Sequence, residues 1–287
     1  VILRAKDRTI EVSDRPLVMG VVNVTPDSFF DGGKYATTDA AVRHALQLTE
    51  EGADLLDIGA ESTRPGSDSI EAGEELRRLL PVVTAVAKAV TVPLSVDTMK
   101  STVARAALEA GAVIINDVTA LQADAAMADL VAATGAGVVL MHMRGMPKTM
   151  QEAPSYDDVV GEVTEFFRER VMFCRERGIG QDQIVLDPGI GFGKLLVHNL
   201  TLLGQLESFA QFGRPILVGV SMKAFIGQVL GRPLEERSWG TAAAIALAVS
   251  KGAGILRVHN VRGMKEVVAM AAAITRYANA SARVQHA

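Results

Sequence analysis

The feature that most constrains this chain is an alternation. Eight short apolar runs, "LVMGVVNV", "LLDIGAE", "PLSVDT", "AVIINDV", "GVVLMHM", "IVLDPG", "PILVGVS" and "ILRVHNV", occur in order along the sequence. Runs of this length, apolar on most positions, suit strands of a parallel sheet covered on both faces. Between and after them lie longer stretches of helical periodicity, from "DAAVRHALQLTEEGA" to "MKEVVAMAAAITRYANA", several ending in a glycine that caps a helix C-terminus. Strand then helix, eight times, with no long Pro/Ser linker, predicts an α/β fold, a (β/α)8 TIM barrel, as one domain over residues 1–287. A doubly wound open sheet is the alternative, because alternation alone does not show closure. Ahead of the barrel, "VILRA" and "TIEV" flank the turn-like "KDR", which predicts a short β-hairpin within residues 1–14.

Composition narrows the partners. Net charge is −4 with no basic run, which argues against nucleic acid and against an anionic membrane surface. No charged and then apolar leader opens the sequence and no apolar run reaches about 18 residues, so no membrane insertion is expected. The single Cys174, in "RVMFCRERG", excludes an internal disulfide framework and reads as a packed helix residue. A reducing cytoplasm is the expected compartment.

Polar residues gather where each apolar run ends, the face on which barrel active sites are built. They are Asn23, then Asp57 and Glu61, Asp97, Asn116, His142 beside Met141, Asp187, Ser221 with Lys223, and Arg257 with His259. One such aspartate is an ordinary cap or turn former. Nine or so such residues converging together predict a site.

Asp97, Asn116, Asp187 and Lys223 suit a flat heterocycle with adjacent donor and acceptor edges, such as a 2-amino-4-oxo pterin or a guanine. The bland reading is a polar barrel plug in which Lys223 neutralises Asp187. Arg257 and His259 share one face of a strand, and with Asn23 they suit an anion or a metal-bound phosphate between the eighth and first strands. Magnesium fits an oxygen donor of this kind, and no zinc cluster is visible. His142 reads as a weaker candidate, and His44, His198 and His286 as surface residues.

"DPGIGFGK" has the look of a phosphate loop but fails the spacing of both the P-loop and the dinucleotide fingerprint. It reads instead as a strand end that delivers Asp187, with Lys194 as a rim residue. The loops "TPDSFFDGGKY" and "STRPGSDS" follow the first two strands and have the composition of lids, with Phe29 and Phe30 closing over something apolar.

These segments resemble a known family. "VMGVVNVTPDSFFDGG" and "DIGAESTRPG" are similar to the two signature segments of dihydropteroate synthases, and "SVDT", "INDV", "MHMRGMPKTMQ", "LDPGIGFGK" and "RVHNV" continue the likeness in order. The resemblance implies a pterin-binding barrel that joins 6-hydroxymethyl-7,8-dihydropterin diphosphate to 4-aminobenzoate in folate synthesis. It implies that Asp97, Asn116, Asp187 and Lys223 hold the pterin, with Met141, Phe192 and Gly219 lining its slot and Ser221 beside it. Asn23 is then the magnesium ligand, and Thr63, Arg64, Arg257 and His259 address the diphosphate. Asn23, Asp97, Lys223 and Arg257 carry the catalytic expectation, and replacing Asn23 or Arg257 by alanine is expected to lose most turnover and spare the fold. A homodimer through the alanine-rich last helices and competition by sulfonamides, which imitate aminobenzoate, are further implications.

One departure stands out. Where the family reads Ser-Arg-Lys, this chain reads Ser221-Met222-Lys223, followed by Ala224. A thioether does not replace a guanidinium at an anion, although the helix N-terminus after Lys223 can attract one. The rival readings are a methyltransferase that moves a methyl group from methyltetrahydrofolate to a corrinoid, and a pterin-binding relative without turnover.

Overall fold

The structure, a computed structural model, describes residues 1–12, 15–24, 33–62, 66–146 and 148–284, with the backbone alone at 33–37 and 279–284. A two-stranded antiparallel hairpin, β1 (Ile2–Ala5) with β2 (Arg8–Glu11), comes first. Eight parallel strands follow: β3 (Leu17–Asn23), β4 (Leu55–Gly59), β5 (Leu94–Asp97), β6 (Ile114–Asp117), β7 (Gly137–Met141), β8 (Ile184–Asp187), β9 (Leu217–Val218) and β10 (Ile255–Val258). Their order, β8-β7-β6-β5-β4-β3-β10-β9, leaves β8 and β9 at the ends of the sheet. A single parallel bridge, Leu186 to Ile216, joins those ends, and Leu186 N donates to Pro215 O at 3.0 Å. The sheet is therefore closed, which decides against the open alternative.

Helices α1 (Gly33–Glu50), α2 (Ala72–Ala89), α3 (Ser101–Glu109), α4 (Ala125–Thr134), α5 (Val159–Glu176) and α6 (Leu196–Gly204) fill the connections, then α7 (Ala224–Leu230), α8 (Ser238–Ser250) and α9 (Val261–Val284). Of the short α7 only the start was expected, as a helix N-terminus after Lys223, and not its extent. Gly227 within it and the following "GRP" mask its periodicity.

Strand parity explains how this cylinder separates packing from chemistry, since successive side chains face opposite ways. Val18, Val22, Leu56, Ile58, Val96, Ile115, Val138, Leu140, Val218 and Leu256 pack outward with the helices in one large core. The opposite parity gives Met19, Leu55, Ile114, Val139, Val185, Leu217 and Ile255, which cluster with Leu3, Ala5, Ile10 and Val12 of the hairpin. The hairpin is thus the floor of the barrel. Two residues further along the same inward rows, the side chains become Asp57, Asn116, Asp187, Gly219 and Arg257. An apolar floor with a polar mouth is the arrangement that barrel enzymes use. Cys174 is buried in α5, and burial pushes its thiol up to about 11, so it packs rather than reacts.

Candidate active site

Arg257 is the centre of the mouth. Its Nε donates to Asp57 Oδ2 at 2.7 Å and its Nη2 to Asp97 Oδ2 at 3.2 Å, so the guanidinium is held between two inward carboxylates. Asn116 Nδ2 donates to the same Asp57 oxygen at 3.0 Å. Asp57 is fully buried, and its Oδ1 has no hydrogen-bond partner among the described residues. Burial first, and then the Asp57 carboxylate, push Asp97 above the ordinary carboxylate range, with the Arg257 cation opposing both. Asp57 was visible in the sequence as a strand-end aspartate but carried no role; its partners lie on strands remote from it in the chain.

Asp187 closes the other side. Burial raises it to about 6, against the pull of the Gly189 N–H, which donates to Asp187 Oδ1 at 2.7 Å, and of the Lys223, Lys194 and Arg257 cations. Lys223 Nζ sits 4.1 Å from the centroid of the Phe192 ring, a cation–π contact. Met141, at the end of β7, is buried, while Phe192 and Gly219 are half-buried. The residues expected to hold and wall a flat ring are therefore brought to one place.

The segment that carries Phe192 is held rigidly from behind, and here the expectation for Lys194 is corrected. Lys194 is 3% exposed. Its ammonium bonds His142 Nδ1 at 2.9 Å, His142 O at 3.2 Å and Phe192 O at 3.0 Å, so it is an internal brace and not a rim residue. Burial lowers it to about 7. The acceptor role of Nδ1 fixes His142 as a neutral imidazole, and burial beside Lys194 lowers that ring to about 2. His142 is accordingly a core residue, edge-on to Phe166. Gly189 and Gly193 take φ of +66° and +59°, and a Cβ on them would lie 1.9 Å from His142 O and 2.2 Å from Arg144 O. Backbone approach this close is what the glycines of "DPGIGFGK" provide. Gln151, Tyr156 and Asn199 bond the same segment from outside, a set no sequence motif signalled.

At the rim, His259 Nδ1 lies 3.0 Å from Ser221 Oγ, which also accepts from the His259 N–H. Asn23, half-buried, ends β3 beside Gly59. Glu61 pairs with Lys100, which also donates to the buried Glu75 Oε2 at 2.6 Å, so Glu61 anchors the start of the second loop and is not part of the converging set. Thr63 and Arg64, like Phe29 and Phe30, lie outside the described residues. Among the described residues no cluster of three or more His, Cys, Asp or Glu side chains forms a metal cage. The donor set fits magnesium only as an ion held by one amide oxygen, from Asn23, together with substrate oxygens and water.

A closed (β/α)8 barrel with buried carboxylates and an amide facing one lysine and one arginine defines an enzyme mouth built for a flat, nitrogen-rich ring. The family model of pterin binding enzymes matches residues 19–259. Dihydropteroate synthase of Escherichia coli K12 is 46% identical over 266 residues, covering 93% of this chain and 94% of that protein. The Yersinia pestis dihydropteroate synthase, crystallised in a sulfonamide drug complex, superposes with a TM-score of 0.90 at 44% identity, covering 96% and 99% of the two chains. The Xanthomonas albilineans dihydropteroate synthase with 4-aminobenzoic acid gives 0.89 at 46% identity, covering 96% and 98%. The chain belongs to the dihydropteroate synthases.

Proposed function

We infer that this chain condenses 6-hydroxymethyl-7,8-dihydropterin diphosphate with 4-aminobenzoate, giving 7,8-dihydropteroate and diphosphate. The arylamine nitrogen bonds to the exocyclic methylene carbon, the carbon–oxygen bond to diphosphate breaks with its electron pair on oxygen, and the amine gives up a proton. The observation that carries this reading is the set of buried acceptors Asp97, Asn116 and Asp187 on β5, β6 and β8 facing Lys223 and Arg257, in a chain 46% identical to a dihydropteroate synthase.

In this site Asp97 and Asp187 accept hydrogen bonds from the amino and ring N–H groups of the pterin, and Asn116 reads a neighbouring edge. Phe192 and Met141 wall the ring, and Lys223 caps it from the Phe192 side. Arg257, His259 and Asn23 line the side where diphosphate departs, and the family likeness assigns Thr63 and Arg64 to the same diphosphate. Magnesium, where bound at Asn23, neutralises charge on the leaving diphosphate. Arg257 and His259 supply the same electrostatic help as fixed donors. Sulfonamides compete with 4-aminobenzoate. The helix after Lys223, only seven residues long, offers an anion little dipole.

The working form is a homodimer in the cytoplasm. What supports the dimer is the set of exposed apolar side chains on α6 to α9, among them Val197, Leu200, Val229, Ile274 and Trp239, the last 87% exposed. No helix among the described residues is long and apolar enough to cross a membrane. Diphosphate release, assayed with the pterin diphosphate in the presence and absence of 4-aminobenzoate, tests the reaction. Release that requires both substrates is the expected result; tight pterin binding without release would point to a relative without turnover.

A further inference from the structure

Met222 holds φ = +61°, a backbone conformation that a side chain with a Cβ disfavours. It is the third residue of a tight turn closed by Lys223 N donating to Val220 O at 3.3 Å, a position that glycine or asparagine usually fills. Such a residue persists only where its surroundings over-determine it. Here both peptide groups of Met222 are gripped, one from α8 and one from Arg237 just before it. Its N–H donates to Thr241 Oγ1 at 3.1 Å, and its carbonyl accepts from Arg237 Nη1 at 3.2 Å. Thr241 is 2% exposed, and a Cβ on Gly227 would lie 2.5 Å from Arg237 Nη2, so the guanidinium is wedged flat against α7. Ser221, which holds His259, and Lys223, which covers Phe192, are the two neighbours of the clamped residue.

We propose that Arg237 and Thr241 are positioning residues for the pterin site: by locking Met222 in its left-handed turn, they set where Lys223 leaves the barrel wall and where Ser221 meets His259. This rests on the placing of Lys223 in the pterin site given above. Neither residue needs to touch substrate. The clamp also gives Met222 a role of its own, since the turn and not the side chain is what the site uses.

The test is kinetic and includes a rescue. Thr241→Val keeps the shape and removes the acceptor, so the turn relaxes; KM for the pterin diphosphate rises roughly tenfold, with kcat changing less. Met222→Gly alone stays near wild type, because glycine takes a positive φ freely. Added to Thr241→Val, it returns KM most of the way. Arg237→Gln gives a smaller rise, relieved by the same change, and carries the test should Thr241→Val fail to fold. An unaltered KM in both clamp variants overturns the proposal, as does a rise that Met222→Gly leaves untouched, since Thr241 would then act in packing alone. Lys223→Ala separates the two readings: a raised KM there beside an unaltered KM in the clamp variants overturns this inference only, whereas an unaltered KM there removes Lys223 from the pterin site and this inference with it.

Discussion

Arg257 and Asp57 lie 200 residues apart in the chain and 2.7 Å apart in the barrel, Nε to Oδ2, with the carboxylate fully buried. Through this pair a residue expected to meet substrate is anchored by one that is not. Asp57→Ala leaves Arg257 held by Asp97 alone and takes the acceptor of Asn116 away with it. The expected result is a loss of about 3 kcal/mol of stability, since breaking a buried pair leaves its partner uncompensated. Urea denaturation with pterin titration checks it; unchanged stability would make Asp57 a bystander.

The same pair revises one expectation. Arg257→Ala is expected to lose most turnover, but it leaves Asp57 and Asp97 without their shared cation, so it costs stability as well. Asn23→Ala is the cleaner change. It should raise the magnesium concentration for half-maximal turnover by roughly tenfold or more, because the one protein oxygen proposed for the ion is lost, and it should leave the thermal midpoint near wild type. An unaltered magnesium dependence would dissociate Asn23 from the metal.

Proton linkage gives a third prediction. Asp187 is raised from 3.8 to about 6 in the folded chain, and Asp97 moves the same way. The folded state therefore keeps protons that the unfolded state has lost, and the stability of the free protein falls as pH rises from about 4 to about 6. A pterin that donates N–H groups needs the ionised carboxylates, so its binding weakens below about pH 6 and releases protons there. Calorimetry in buffers of different ionisation heat reads this directly; identical heats in all buffers near pH 6 would contradict it.

Lys194 makes the opposite prediction. Its folded value, lowered from 10.5 to about 7, means that the folded state gives up a proton the unfolded state retains. Its contribution is fully present above pH 10.5 and is lost as pH falls through 7. Wild-type stability relative to Lys194→Met should thus grow between pH 7 and pH 10. Denaturation curves at three pH values test the slope, and a difference independent of pH would refute the internal brace as drawn.

Two glycines with nearly the same backbone separate conformation from space. Gly189 has φ of +66° and no room for a Cβ, whereas Gly231 has φ of +62° and nothing within 4 Å. Gly231→Ala should cost about 1 kcal/mol, and Gly189→Ala about 3 kcal/mol or more together with pterin affinity. Comparable losses at both positions would mean that strain alone governs the loop.

What the sequence revealed depended on whether the signal was local. The barrel was legible because strand parity and helical period repeat along the chain, and Asp97, Asn116 and Asp187 stood out as polar residues at or next to the end of a strand. Lys194 was misread because nothing near it in sequence announces that the loop after β7 will cover it. The clamp on Met222 was invisible for the same reason: Thr241 belongs to another helix and Arg237 caps its start. Of α7 only the N-terminus was legible, since seven residues around a glycine give no readable period.

The barrel is joined between β8 and β9 by one bridge, Leu186 to Ile216. Asp187 stands directly above one edge of that join, and Lys223 follows the other. A bound pterin contacting both would act as a suture across the thinnest part of the wall. Substrate would then complete the cylinder as well as occupy it, and amide exchange along this seam would report occupancy from beneath the site.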